Sequence, residues 1–175
     1  MKRLISICSS LILAAACAGN ENPRQSSSAE TANTTQNAAP KPAEAAQFSA
    51  GQTEIKAGGS GTAIVKIKIQ PPFHVNANPP SESNLIPTAI EFESKNNLTF
   101  EKPIYPAGEA KKFQFSEKPL AVYEGEIEIK LPLKASTNAA KGEQNASGKL
   151  RFQPCDEAVC YRPQTVDVVL PIKIS

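Results

Sequence analysis

Alternation with a period of two limits this chain more than any other feature of its sequence. In Ala63-Ile64-Val65-Lys66-Ile67-Lys68-Ile69 the set Ala63, Val65, Ile67 and Ile69 falls on one side, with Lys66 and Lys68 on the other. Successive strand residues point to opposite faces, so this run is a strand with one face in a core. Glu124 to Leu131 repeats the pattern with Ile127, Ile129 and Leu131 inward. Thr88–Glu93, Leu98–Glu101, Lys149–Gln153 and Thr165–Ile174 are further strand candidates. No helical period of useful length competes, and 15 prolines punctuate the chain.

Short strands separated by turn signals predict an all-β fold, an immunoglobulin-like β-sandwich over residues 48–175. The chain has no Trp, so the buried strand Trp of antibody domains is missing. Cys155 and Cys160 are also too close in sequence to form the inter-sheet bridge of those domains. A fully extended span would hold their Cα atoms about 17 Å apart, whereas a disulfide needs about 4.4–6.8 Å. If they are bonded, Asp156-Glu157-Ala158 folds back as a tight turn, and an Asp near its start suits that.

So small a loop gives a bridge only about 2 kcal/mol of stabilisation, against more than about 4 for one joining distant strands. That is weak for a structural bond, whereas a redox pair needs only two close, accessible sulfurs. Spacing and compartment leave the two readings equally open. Asp156 and Glu157 disfavour a thiolate at Cys155, and Arg162 favours one at Cys160.

Lys2 and Arg3 precede an apolar run from Leu4 to Ala16, which ends in Ala14-Ala15-Ala16-Cys17. This reads as a bacterial export signal over 1–17, too short to span a bilayer. Its end resembles a lipobox, with Ala14 where Leu is usual and Leu13 one step early. Cys17 is then the lipidation site and its acyl chains the membrane anchor. Ala18 carries no charge, which favours the outer membrane slightly. Residues 18–47 are nearly free of bulky apolar side chains and read as a flexible linker with a reach of roughly 30 Å. Without Lys2 and Arg3 the chain has 17 basic and 17 acidic residues, a balance that gives no reason to expect nucleic acid as a partner.

Five motifs occur in order: Pro72-Phe73-His74-Val75-Asn76-Ala77-Asn78-Pro79-Pro80, Leu85-Ile86-Pro87-Thr88, Ile104-Tyr105-Pro106-Ala107-Gly108, Val122-Tyr123-Glu124-Gly125, and Gln153-Pro154-Cys155 through Cys160-Tyr161-Arg162-Pro163. Together they resemble the periplasmic N-terminal domain of the DsbD family of thiol:disulfide interchange proteins, over nearly all of 48–175. The resemblance implies an immunoglobulin-like domain whose Cys155 and Cys160 relay electrons; the chain is expected to need no cofactor and to act as a monomer. Cys160 would form the mixed disulfides. The donor would be a thioredoxin-like protein, fed indirectly by a membrane electron carrier of the DsbD/CcdA type, and the acceptors periplasmic proteins. An aromatic cap loop would fall within Lys111–Ser116, with Phe113 or Phe115 as its lid, and His74 and Tyr161 would help shape the site. Family proteins continue into a membrane carrier and a thioredoxin-like domain; here the module is expected to stand alone on a lipid anchor and to depend on separate partners.

Other readings use the same residues. His74 reads first as a polar residue at a strand end and only second as a general base. With Cys155 and Cys160 it offers ligands that suit copper or zinc, but without a second His or a Met cluster no metal is assigned. Phe113, Phe115, Tyr105, Tyr123 and Tyr161 divide between core and site. A non-catalytic, lipid-anchored binding module that keeps a structural disulfide is the alternative function.

Overall fold

The computed structural model describes residues 41–175. The export signal, Cys17 and the linker up to residue 40 lie outside the described residues. A 3-10 turn at Pro42–Glu44 leads into β1 Ala46–Ala50, β2 Thr53–Ile55, β3 Ser60–Ile69, β4 His74–Asn76, β5 Ala89–Phe92 and β6 Leu98–Phe100. Then follow β7 Glu109–Lys111, β8 Leu120–Tyr123, β9 Glu126–Ala135, β10 Gly142–Phe152, β11 Pro154–Cys155 and β12 Gln164–Ile174.

The two alternating runs find each other. β3 and β9 pair antiparallel, with Val65 opposite Ile129 and Ile67 opposite Ile127, and β1 and β6 extend them into a sheet of order β1-β3-β9-β6. The second sheet, β2-β12-β10-β5, is built on a ladder between β10 and β12 that runs from Gly142 opposite Ile174 to Phe152 opposite Gln164. The facing sides of the two sheets bury Val65, Ile67, Ile69, Ile129, Leu131, Leu133, Leu150, Leu170 and Ile172 in one core. Each such side chain contributes about 1.5–3 kcal/mol on leaving water. The result is the expected immunoglobulin-like β-sandwich. Outward residues are charged: Lys66 meets Glu126 and Glu128 at 3.3 Å, exposed pairs that add little stability.

A third, smaller sheet of order β11-β4-β8-β7 is joined to the same core through Phe73, Val75 and Tyr123. Side chains of the first two motifs fasten the following loop onto β4. Thr88 Oγ1 donates to the Asn76 carbonyl at 2.8 Å, Asn76 Nδ2 to that of Ile86 at 3.1 Å, and Asn78 Nδ2 to that of Thr88 at 2.9 Å. Tyr123 and Tyr105 belong to this scaffolding. The Tyr123 hydroxyl accepts the Asn78 N–H at 3.1 Å and donates to the Pro106 carbonyl at 2.9 Å, and the Tyr105 hydroxyl accepts the Ile90 N–H at 3.0 Å.

Regular structure also reaches upstream of Phe48. Ala46 pairs with Ile69, Ala45 is fully buried, and Gln164 Nε2 donates to the Pro42 carbonyl at 2.6 Å.

Candidate functional site

After Phe152 the chain leaves the long ladder. Pro154 pairs with Val75 and Cys155 with His74; the chain then turns, bridges back at Cys160 and rejoins the ladder at Gln164. Cys155 and Cys160 form a disulfide with Cα atoms 3.9 Å apart, closer than the usual range, so the chain has folded back on itself as their spacing requires.

Asp156 shapes the turn. Its Oδ1 accepts the N–H groups of Ala158 at 2.8 Å and Val159 at 2.9 Å, and its Oδ2 accepts the Tyr161 hydroxyl at 2.6 Å. The Tyr161 hydroxyl, then the two backbone donors, hold this carboxyl below its ordinary pKa, while the same bond raises that of Tyr161. The Tyr161 ring meets Phe73 edge-on at 5.8 Å, and its carbonyl accepts Gln153 Nε2 at 2.9 Å. Tyr161 is thus a brace for the turn, and Asp156 a site residue whose turn chemistry was visible in the sequence but whose tie to Tyr161 was not.

The sulfurs are unequally covered: Cys155 is 0 % exposed, whereas Cys160 is half-buried. His74 stands directly opposite Cys155, on the same face of the small sheet. It is 1 % exposed, which corrects its reading as a polar edge residue. β11 and β8 flank β4 on its two sides, and Phe113 lies over the imidazole with ring centres 4.1 Å apart and planes 17° apart. Phe113 in turn stacks on Phe115 at 5.2 Å; the first is 2 % exposed, the second 43 %.

Burial lowers the His74 pKa, and Lys111 adds to this, while Glu124, Glu157 and Asp156 oppose it. Lys111 itself is held by Glu124, its Nζ 2.6 Å from Oε1. Lys112 ties the loop that carries Phe113, its Nζ donating to the carbonyls of Ser116, at 2.7 Å, and Glu117. At its root, a Cβ on Gly108 would lie 2.5 Å from that of Ala77 and 3.1 Å from that of Ala121, so only glycine lets β7 approach so closely. Among the described residues no group of three or more His, Cys, Asp or Glu is placed to hold a metal ion. The arrangement leaves Cys160 partly open to an incoming nucleophile and keeps Cys155 buried beside His74, whose ring lies under Phe113.

Residues 36–171 match the family described as thiol:disulfide interchange protein DsbD, N-terminal. The chain is 32% identical over 75 residues to the thiol:disulfide interchange protein DsbD of Pseudoalteromonas atlantica, a match covering 42% of this chain and 12% of that relative. Among solved structures it is similar to the N-terminal periplasmic domain of ScsB from Proteus mirabilis, with a TM-score of 0.48 and 16% identity over 77% of this chain and 49% of that one. It is also similar to a chain of a type I cohesin–dockerin complex from Clostridium thermocellum, with a TM-score of 0.42 and 9% identity over 79% and 99% of the two chains. The chain therefore spans only a small part of the curated relative it matches. With the family match running through the sandwich, the small sheet and the disulfide turn, the chain belongs to the DsbD N-terminal domain family, which is involved in thiol:disulfide interchange.

Proposed function

We propose that the protein relays electrons in the bacterial cell envelope by opening and closing the Cys155–Cys160 bond in exchange with other proteins. The observation that carries this reading is the inequality of the two sulfurs, one buried at 0 % exposure and one half-buried, in a turn that closes too few residues to serve as a strong structural bridge. A partner's thiolate attacks Cys160 Sγ, the S–S electron pair leaves on Cys155, and the partner's second thiol resolves the mixed disulfide. In the reverse direction reduced Cys160 attacks a substrate disulfide and Cys155 resolves it. Phe113 serves as the lid over this pair, and the exposed Phe115 and Val159 offer apolar contact to a visitor. The donor is a thioredoxin-like protein supplied by a membrane carrier of the DsbD/CcdA type, and the acceptors are periplasmic proteins. Cys17 carries the lipid anchor, with the outer membrane preferred.

The test is exchange with a reduced thioredoxin-like protein. Cys155→Ser, offered the oxidised form of the same partner, is expected to accumulate a mixed disulfide as Cys160 attacks the partner's disulfide and releases one partner thiolate, and Cys160→Ser is expected to abolish exchange. A wild-type protein whose disulfide fails to exchange at any accessible potential, with sulfurs resistant to alkylation after chemical reduction, would replace this reading with that of a binding module carrying a structural bridge.

A further inference from the structure

The two ring nitrogens of His74 are, among the described residues, the only buried side-chain nitrogen or oxygen atoms left without a hydrogen-bond partner. A neutral imidazole carries one N–H donor and one acceptor nitrogen, and leaving either unmatched in a dry interior is costly. Such a group calls for an explanation, and the nearest chemistry supplies one. Cys155, fully buried, is the direct cross-strand partner of His74, a relation that places Cβ atoms roughly 4.5–5.5 Å apart on one face. While the disulfide is closed, Cys155 Sγ carries neither a proton nor a charge. Once it opens, the same buried atom becomes a thiolate and then a thiol.

Of the other polar groups near by, the Gln153 carbonyl, 3.9 Å from Cys155 Sγ, can accept from a thiol but has no proton to offer a thiolate. Asp156 is occupied by Tyr161 and two backbone N–H groups, and Lys111 by Glu124. Glu157 lies on the turn and, like Glu124 and Asp156, contributes negative charge. These carboxylates repel a thiolate and cannot receive it.

We propose that His74 is the hydrogen-bond donor that receives the Cys155 sulfur when the disulfide opens, and that it thereby biases the pair towards the dithiol. The inference rests on the exchange reading above and adds to it the residue that sets the poise. In the opening step the partner thiolate bonds to Cys160 Sγ and the S–S bond breaks, leaving its electron pair on Cys155 Sγ. The imidazole shares its N–H with that thiolate and does not lose it. The partner's second thiolate then bonds to the partner's first sulfur and releases Cys160. The two protons given up by the partner dithiol end on Cys155 and Cys160 through solvent, so one dithiol is oxidised and one disulfide reduced. Phe113, stacked on the ring, keeps water from filling the donor's place while the bond is closed.

The experiment is a redox equilibration of the full chain against a dithiothreitol couple, comparing wild type, His74→Phe and His74→Gln. His74→Phe is expected to move the equilibrium towards the disulfide by about tenfold, a potential about 30 mV lower. His74→Gln keeps an N–H donor and is expected to recover most of the shift. A second readout needs no variant: the ring-nitrogen NMR signals of His74 in the wild-type protein are expected to shift on reduction as the N–H gains its partner. Equilibrium constants of wild type and His74→Phe within twofold of one another, or imidazole signals unmoved by reduction, in a protein that still exchanges through Cys160, would overturn the assignment and leave the relay standing. Absence of exchange in the wild type would remove the relay, and this role of His74 with it.

Discussion

Replacing Asp156 by Ala isolates what holds the two sulfurs together when no bond joins them. The carboxylate accepts three hydrogen bonds within the turn, at 2.8, 2.9 and 2.6 Å. The turn is partly open to solvent, so each bond contributes only about 0.5 kcal/mol, the low end of the usual range. In the oxidised protein the disulfide fixes the turn with or without them. In the reduced protein these bonds keep Cys155 and Cys160 close, and without them the turn gains freedom that must be lost again on reoxidation. The disulfide of Asp156→Ala is therefore weaker by up to about 1.5 kcal/mol, close to tenfold in the equilibrium constant, which raises the reduction potential by about 30 mV. Tyr161→Phe removes one bond of the three and is expected to shift it in the same direction by about a third as much. The measurement is equilibration against glutathione at pH 7 with the thiol fraction read by mass after alkylation. A potential for Asp156→Ala equal to or below that of wild type would refute the idea that the turn is held in advance. The sign is opposite to that expected for His74→Phe, so a general loosening of the site cannot imitate both results.

Gly108→Ala is expected to cost about 1–3 kcal/mol as an overpacking substitution, because the new methyl would sit 2.5 Å from that of Ala77; the urea midpoint checks this, and an unchanged midpoint would mean that β7 is free to move away. Stability should also fall in two stages with acid. His74 has a lowered folded-state pKa, so its contribution is complete above the unfolded value of about 6.5 and is lost as pH falls from there towards the folded value. The carboxylates of Glu124, Glu157 and Asp156 oppose that shift, and Lys111 adds to burial. Asp156 is also lowered, so its contribution persists above about 3.9 and is lost as pH falls below that through its folded value. Urea midpoints between pH 8 and 3 test this: His74→Phe should abolish the first decline and keep the second, and a wild-type midpoint that stays flat between pH 7 and 5 would contradict it.

The sandwich was legible because β3 and β9 are long enough for alternation to show: Val65, Ile67, Ile129 and Leu131 are buried as their spacing requires. The small sheet was not. β4, β7, β8 and β11 run for two to four residues, too short for a period to be counted, and in β4 three successive residues are buried, because the core takes Val75 on one side and Phe113 covers His74 on the other. For the same reason His74 looked like an edge residue: what covers it is Phe113, distant in sequence and brought over it by the β7–β8 hairpin. The turn chemistry of Asp156 could be read from the spacing of the cysteines. Its second oxygen could not, since nothing in the order of residues says that Tyr161 returns to meet it.

The longest ladder of the described structure stops where the sulfur chemistry starts. β10 and β12 are zipped up to Phe152 and Gln164, and the disulfide closes only the short turn at their tip. A relay protein passes through its opened form at every turnover, and a protein whose bridge joined two sheets would loosen its interior each time. In the proposed relay the disturbance is confined to the tip of a pair of tongs whose jaws open while the hinge stays shut, so the reduced form should lose no more than about 2 kcal/mol, the amount that so short a loop contributes, and neither form should expose the interior to aggregation between cycles.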